Sequence, residues 1–558
     1  MLIRFSDSRP VMSDVTLTFL VAAYIFVLAN ITFWSKGMLY FDGHPAELAG
    51  FAAGIVALHI AGMLSVSVKY AVKPIFIALI MIGALASYFT DKLGVLITWD
   101  MIRNAAVTTT NEARHLITWR FVAHIALYGL LPSALVAWTK VEHLNFVPKL
   151  WQHLKVIVPM LAVAAGVTFA FYPGFASTFR EHRDLMASLT PVAPIVSAVK
   201  YVKRTFFSPP VVVAAIGTDA FSEDIAEVER KEEPPHVLVV VAGETARAQD
   251  FSLYGYERET NPVLKAHDNV FTFQKTTSCG TATAVSLPCM FSIYKRSEYS
   301  DSKGESTESV LDVLAHAGIG TAWWDTNTGS KGVAARTIEI NMAAGDDTRF
   351  CVDGECRDDI LVDKLKQELP KVTGNTVFVL HTIGSHGPAY FMRYKEDGAP
   401  FKPDCRSADF ADCTNDEIRN AYDNTIAYTD KILGDVIDVL DGEGDRINAS
   451  MIYMSDHGES LGENGLYLHG APWFMAPDEQ THVPFIMWLS QLFVEEEGID
   501  TDCLRANAAA GGFSHDNLFH TILGTIEVDS ETYDPELDVL AACRAPDADG
   551  DGDGAMRS

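Results

Sequence analysis

The chain has 558 residues and a mass of 61.1 kDa, enough for two to four domains around a large core. Apolar residues make up 48 %, mean hydropathy is +0.12 and the formal net charge is −29. Those figures exclude a disulfide-stapled miniprotein and a disordered chain, and the sign of the charge argues against nucleic acid as a partner.

The averages conceal two halves. Residues 1–205 hold 17 basic and 10 acidic residues, whereas residues 206–558 hold 26 and 62. All eight cysteines (279, 289, 351, 356, 405, 413, 503 and 543) lie in the second half. An apolar, cysteine-free half followed by an acidic half with an even cysteine number predicts a membrane anchor bearing a domain on the oxidising side.

Five apolar stretches lie near residues 15–35, 46–68, 74–97, 121–138 and 154–172. Each approaches the roughly 20 residues that cross about 30 Å of hydrocarbon. Five crossings put the second half opposite residue 1, and lysine and arginine are slightly denser in the segments that then face the cytoplasm. Between the third and fourth stretches, Asn104, Thr108 and Glu112 stand at i, i+4 and i+8. That spacing describes one helix face, equally suited to a ligand or to solvent. Residues 179–206 mix apolar and basic positions and read as interfacial, and 208–235, rich in proline and charge, reads as a linker. The predicted layout is a five-helix transmembrane domain (1–178), interfacial helices and linker (179–235), an α/β domain (236–546) and an acidic disordered tail (547–558). The tail's DADGDGDG lacks the glutamate that closes an EF-hand loop.

From residue 236 the texture changes. HVLVVVAGET, VFVLHTIGSHG (377–387) and SMIYMSDHGES (450–460) are short apolar runs ending in polar residues, with helical patterns between them. Buried strands alternating with helices predict a largely parallel sheet, whose ligands bind beyond the carboxyl ends of its strands. The residues placed there are Glu244, His381, His386, Asp456 and His457, with His469 further on. Mixed carboxylate and imidazole donors point to a metal centre, suited to zinc better than magnesium and open also to manganese. In TSCGTATAVSLPCMF (277–291), Thr281 and Thr283 precede a helical run. A threonine there is either an ordinary cap or a nucleophile whose phosphoryl target rests on helix N–H groups.

The segments GETARAQDFSLYGYERETNP (243–262), TSCGTATAVSLPCMF, NTGSKGV (327–333), HTIGSHGPAY (381–390) and SDHGESLGENGLYLHG (455–470) occur in that order behind the five apolar stretches. In these motifs the sequence resembles the phosphoethanolamine transferases of the alkaline phosphatase/sulfatase superfamily. It is most similar to the lipid A enzymes linked to polymyxin resistance, including the mobile colistin resistance proteins.

The resemblance implies a five-helix membrane domain joined to an alkaline-phosphatase-like α/β domain, as a monomer in the bacterial inner membrane with the catalytic domain in the periplasm. It implies Thr283 as nucleophile, and Glu244, Thr283, Asp456 and His457 as a tight Zn2+ site. His386 and His469 match ligands of a second, weaker metal or groups that hold phosphate and protonate leaving groups. Asn327 and Lys331 match residues that hold the ethanolamine phosphate, with Glu459 nearby. Asn104, Thr108 and Glu112 match a loop that meets the lipid donor. The implied disulfides are Cys279–Cys289, Cys351–Cys356 and Cys405–Cys413, while Cys503 and Cys543 have no match. The implied donor is phosphatidylethanolamine and the implied acceptor a lipid A phosphate, with core sugars or another glycan as the alternative acceptor. A sulfatase is disfavoured, since neither CGTAT nor CMFSI fits the C/S-x-P-x-R pattern.

Overall fold

A computed structural model describes residues 9–207, 211–222 and 234–545. The acidic tail and half of the predicted linker lie outside those residues. The chain divides into two compact units. Among the described residues, one comprises 9–105, 117–207 and 464–467, and the other 106–116, 211–222, 234–463 and 468–545.

In the first unit, the first apolar stretch is broken rather than continuous. It forms α1 (Asp14–Leu28) and α2 (Ile31–Tyr40), bent by 68°. The cause is Asn30, a buried amide that offers the backbone an alternative to helix hydrogen bonds. Its Nδ2 donates to the carbonyls of Ile25 (3.1 Å) and Thr190 (2.8 Å), and its Oδ1 accepts from the Thr190 N–H (2.9 Å). Just beyond the break, the Thr32 N–H and hydroxyl both donate to Asp91 Oδ1, at 2.9 and 2.6 Å.

Among the described residues, four more helices are long and apolar enough to cross a membrane: α3 (Pro45–Ser65), α4 (Val72–Leu93), α5 (Trp119–Trp138) and α6 (Phe146–Ala170). With the bent pair counted as one span, the total is five. Gly50 and Gly54 let α3 approach α6 closely. A Cβ on Gly50 would meet the Phe171 ring at 2.7 Å, and one on Gly54 would meet Val167 at 3.0 Å. Small residues four apart are the usual means of close helix packing in lipid.

The single helix face expected for Asn104, Thr108 and Glu112 is interrupted. One helix covers Trp99–Val107 and the next Thr110–Leu116, with Thr108 and Thr109 between them. Three consecutive β-branched threonines disfavour a continuous helix.

The second unit is built on a seven-stranded sheet. Its strands are β1 (His236–Gly243), β2 (Val270–Thr272), β3 (Gly320–Asp325), β4 (Ile338–Asn341), β5 (Thr376–His381), β6 (Asn448–Ser455) and β7 (Phe485–Leu489). Their order is β2-β7-β6-β1-β5-β3-β4. Neighbours from β6 through β4 pair in parallel, while β7 runs antiparallel to both β6 and β2. β1 and β6 are buried along their whole length, as expected of central parallel strands covered on both faces. The register sets Ser455 beside Gly243, Ala242 beside His381, and His381 beside Asp325. The carboxyl ends of four parallel strands therefore form one row. All eight cysteines are paired: the three implied disulfides are present, and Cys503 bonds Cys543.

Candidate active site

Glu244 follows β1 directly, and Asp456 and His457 follow β6; all three are fully buried. Each offers one ligand atom, and these atoms lie within 4.8 Å of one another. Thr283 is the first residue of α7 (Thr283–Met290), so its hydroxyl stands at a helix N-terminus. Thr283 Oγ1 lies 3.0 Å from Glu244 Oε2, 3.2 Å from Glu244 Oε1 and 3.4 Å from His457 Nε2. The other threonine of the motif is differently engaged: Thr281 donates to the Ala471 carbonyl at 2.6 Å.

Local backbone holds these donors. Thr245, buried and in the left-handed region at φ 58°, turns its N–H onto Asp456 Oδ1 at 3.1 Å. A β-branched residue rarely adopts that conformation, and such outliers gather at functional sites. The His457 N–H donates to the same Oδ1 at 2.7 Å. His457 Nδ1 donates to the Gly458 carbonyl at 3.0 Å, which leaves Nε2 facing the cluster. Behind Glu244, Gly384 has φ 49°, and a Cβ there would lie 2.6 Å from the Glu244 carbonyl, so only glycine fits.

Asp456 Oδ2 is buried without a hydrogen-bond partner. Burial and the neighbouring Glu244 push the Asp456 carboxyl up to about 6. Burial acts the same way on Glu244, but His457, His386 and His469 outweigh it and hold that carboxyl at about 2. An orphaned carboxylate oxygen beside a second carboxylate and an imidazole nitrogen fits a divalent cation. A second group, His236, Glu497 and Glu527, already faces a cation: Arg544 lies 3.2 Å from Glu497 and 3.4 Å from Glu527.

The other expected residues surround this core. The His469 ring is centred 4.5 Å from that of His457 and 5.3 Å from that of His386. His469 Nδ1 donates to Glu459 Oε2 at 2.9 Å, and the Tyr390 hydroxyl donates to Glu459 Oε1 at 2.8 Å. Burial alone would lower His469, but its contact with Glu459 raises it to about 9. Asn327 Nδ2 donates to Glu244 Oε2 at 2.7 Å and to the Thr382 carbonyl at 3.1 Å, so its amide orients a carboxylate. Lys331, at φ 52°, donates from Nζ to the Thr328 carbonyl at 2.8 Å and also to its hydroxyl. Asn104 belongs to the first unit, whereas Thr108 and Glu112 fall in the second.

Three supporting residues escaped the sequence reading. Asp325, at the end of β3, accepts from His381 Nδ1 at 2.8 Å; the strand-end rule that found His381 applies to it equally. Asp358 accepts from the Ile383 N–H at 2.8 Å and the Gly384 N–H at 3.0 Å, fixing the turn behind Glu244. His515 accepts from the Cys279 N–H at 3.0 Å and donates to the Ser455 carbonyl at 2.9 Å. Burial lowers its pKa to about 4, so it works as a neutral bridge. No local pattern marks the last two.

A buried donor cage at the carboxyl ends of a mixed sheet, facing a threonine at a helix N-terminus, defines an enzyme of the alkaline phosphatase/sulfatase class. Consistent with this, residues 236–528 match the family described as Sulfatase, and residues 55–206 match that described as Phosphoethanolamine transferase EptA/EptB. Phosphoethanolamine transferase EptA of Escherichia coli strain K12 is 36 % identical over 545 residues, covering 96 % of this chain and 98 % of that protein. Phosphatidylethanolamine transferase Mcr-1 of Escherichia coli is 36 % identical over 486 residues, covering 84 % and 88 %. The solved structure of the integral membrane lipooligosaccharide phosphoethanolamine transferase A from Neisseria meningitidis superposes with a TM-score of 0.91 at 33 % identity, covering 96 % of this chain and all of that one. The chain belongs to the phosphoethanolamine transferase family: it is a membrane-embedded transferase with a sulfatase-like catalytic unit.

Proposed function

We propose that this protein moves phosphoethanolamine from phosphatidylethanolamine to a lipid A phosphate through a covalent Thr283 intermediate. The reaction takes place at the periplasmic face of a bacterial inner membrane, and its product binds cationic polymyxins less well. The observation that carries the reading is the Thr283 hydroxyl, held at a helix N-terminus 3.0 Å from Glu244 and 3.4 Å from His457. Zinc bound by Glu244, Asp456, His457 and Thr283 would supply the positive charge that favours a threonine alkoxide and a developing phosphoryl charge.

Thr283 Oγ gives up its proton to the imidazole pair His386 and His469 and bonds to phosphorus as the ester bond to diacylglycerol breaks. The departing oxygen takes that proton from the pair. An oxygen of the acceptor phosphate then gives its proton to the pair and bonds to the same phosphorus as the Thr283 ester breaks, and Thr283 Oγ recovers the proton from the pair. Asn327 keeps Glu244 oriented through both steps, and Glu459 does the same for His469. Phosphoryl transfer asks mainly for such positioning and for charge stabilisation.

The test is mass spectrometry in a polymyxin-sensitive Gram-negative host. Expression of the chain should add phosphoethanolamine to lipid A, and the purified protein given phosphatidylethanolamine alone should carry one such group on the peptide holding Thr283. Modified core sugars with unchanged lipid A would replace the acceptor, and an unmodified Thr283 peptide would remove the covalent step.

A further inference from the structure

Glu355 sits on the turn closed by Cys351–Cys356, where Glu355 pairs with Val352 and Cys356 with Cys351 in a two-stranded ladder. Its two carboxylate oxygens point to different parts of the chain. Oε1 accepts from His115 Nε2 at 2.7 Å, and Oε2 accepts from Arg393 NH1 at 3.0 Å. A carboxylate only accepts, so Nε2 of His115 carries the proton. Arg393 is buried, and its Nε donates to the carbonyl of His386 at 3.1 Å. One side chain thus joins the 106–116 segment, which lies in sequence between α4 and α5 yet groups with the catalytic unit, to the backbone of His386.

Both contacts are charge-assisted and mostly shielded, with side-chain exposures of 19 % for His115, 15 % for Glu355 and 4 % for Arg393. Such bonds are roughly twice as strong as neutral ones. His115 also lies in the last turn of the short helix (Thr110–Leu116) that includes Glu112, with Thr108 just before it.

We infer that Glu355 is a positioning residue for the lipid donor: it fastens the Thr108/Glu112 segment to the catalytic unit, in fixed relation to His386. The inference rests on the transfer reading above. Its role is to present a membrane-bound donor, and a small soluble donor has no need of it.

The experiment uses the full-length protein with two probes. One is phosphatidylethanolamine in phosphatidylcholine vesicles; the other is p-nitrophenyl phosphoethanolamine, a soluble ester of the same headgroup. His115→Ala is the cleaner variant, because it leaves the Glu355–Arg393 pair in place. It should raise KM for the vesicle donor, or lower kcat/KM, by about fivefold or more while leaving release of nitrophenol at the wild-type rate. Glu355→Gln should weaken the vesicle donor at least as much, with some fall in nitrophenol release because Arg393 loses its carboxylate partner beneath His386, and the double variant should be no worse than Glu355→Gln alone, as for residues sharing one interaction. His115→Lys keeps an N–H donor opposite Glu355 and should recover much of the loss. Wild-type vesicle kinetics in His115→Ala would overturn the inference, as would an equal fall on both probes. If the wild-type protein itself is not labelled by either donor, the transfer reading has failed instead.

Discussion

Ser286, three residues into the helix that Thr283 opens, donates its hydroxyl to the backbone carbonyl of Asp456. The same oxygen accepts the Gly280 N–H at 3.1 Å. One buried hydroxyl therefore ties the loop before the nucleophile, the helix that carries it and the turn that carries two cage donors. Ser286→Ala would leave a buried acceptor and a buried donor unanswered, a loss of about 1–3 kcal/mol. Thermal melting should show this loss, and transfer activity should fall further than the remaining folded fraction explains.

The nucleophile itself is tested by pairing two substitutions. Thr283→Ala should melt close to the wild type and show no covalent phosphoethanolamine on its peptide, since the other three donors stay in place. Thr283→Ser keeps a hydroxyl and should keep partial labelling. Undiminished transfer by the alanine variant would exclude Thr283 as the covalent residue.

Asp456 yields a prediction with opposite signs in two conditions. Asp456→Asn retains an acceptor for the Thr245 and His457 N–H groups and removes one of two buried charges. After dialysis against chelator it should melt at or above the wild type. Adding zinc at about one hundred times its Kd should stabilise the wild type by about 2.7 kcal/mol and the variant hardly at all. Glu244→Ala should likewise abolish polymyxin tolerance in cells. A zinc-induced rise of equal size in Asp456→Asn would place the metal elsewhere.

The disulfides should differ in worth. Cys503–Cys543 closes a separation of 40 residues and Cys351–Cys356 one of 5. The chain-entropy model gives about 4 and about 2 kcal/mol respectively. Serine pairs at each position, compared by denaturant melts, should follow that order; the reverse order would show that local structure outweighs loop closure.

Asp538 should make stability depend on pH. Burial pushes its carboxyl up to about 6, with the Leu540 N–H and the Tyr533 hydroxyl donating to it. The native state thus holds a proton that the unfolded chain releases near pH 3.8. The group's contribution is complete below that value and is lost as the pH rises through about 6. Asp538→Asn should be more stable than the wild type at about pH 8, by on the order of 1–3 kcal/mol. That gap should close as the pH falls toward 4.

The strands that carry the site were legible because buried parallel strands leave unmistakable apolar runs, and Glu244, His381 and Asp456 fall where each run ends. The family motifs chose Thr283 over Thr281 and gave His469 a role, and the structure brings both to the same cluster. What stayed hidden depends on partners far away in sequence. Asn30 reads as one polar residue in an apolar stretch, and its long-range partner Thr190 lies 160 positions on. His115 and Glu355 are 240 positions apart, and His515 and Ser455 are 60. Local pattern carries no information about such pairs, whereas it sufficed for residues whose role follows from standing at a strand end.

The stitch between Asn30 and Thr190 also bears on how the protein is made. The two residues are 160 positions apart, so at about 5–20 residues per second a ribosome emits the second roughly 8–30 s after the first. Through that interval the growing chain holds a bend whose amide and carbonyl groups await their partners, and hydrocarbon offers none. Water, lipid headgroups or the insertion machinery must attend the bend until Thr190 arrives. The first span is therefore completed last.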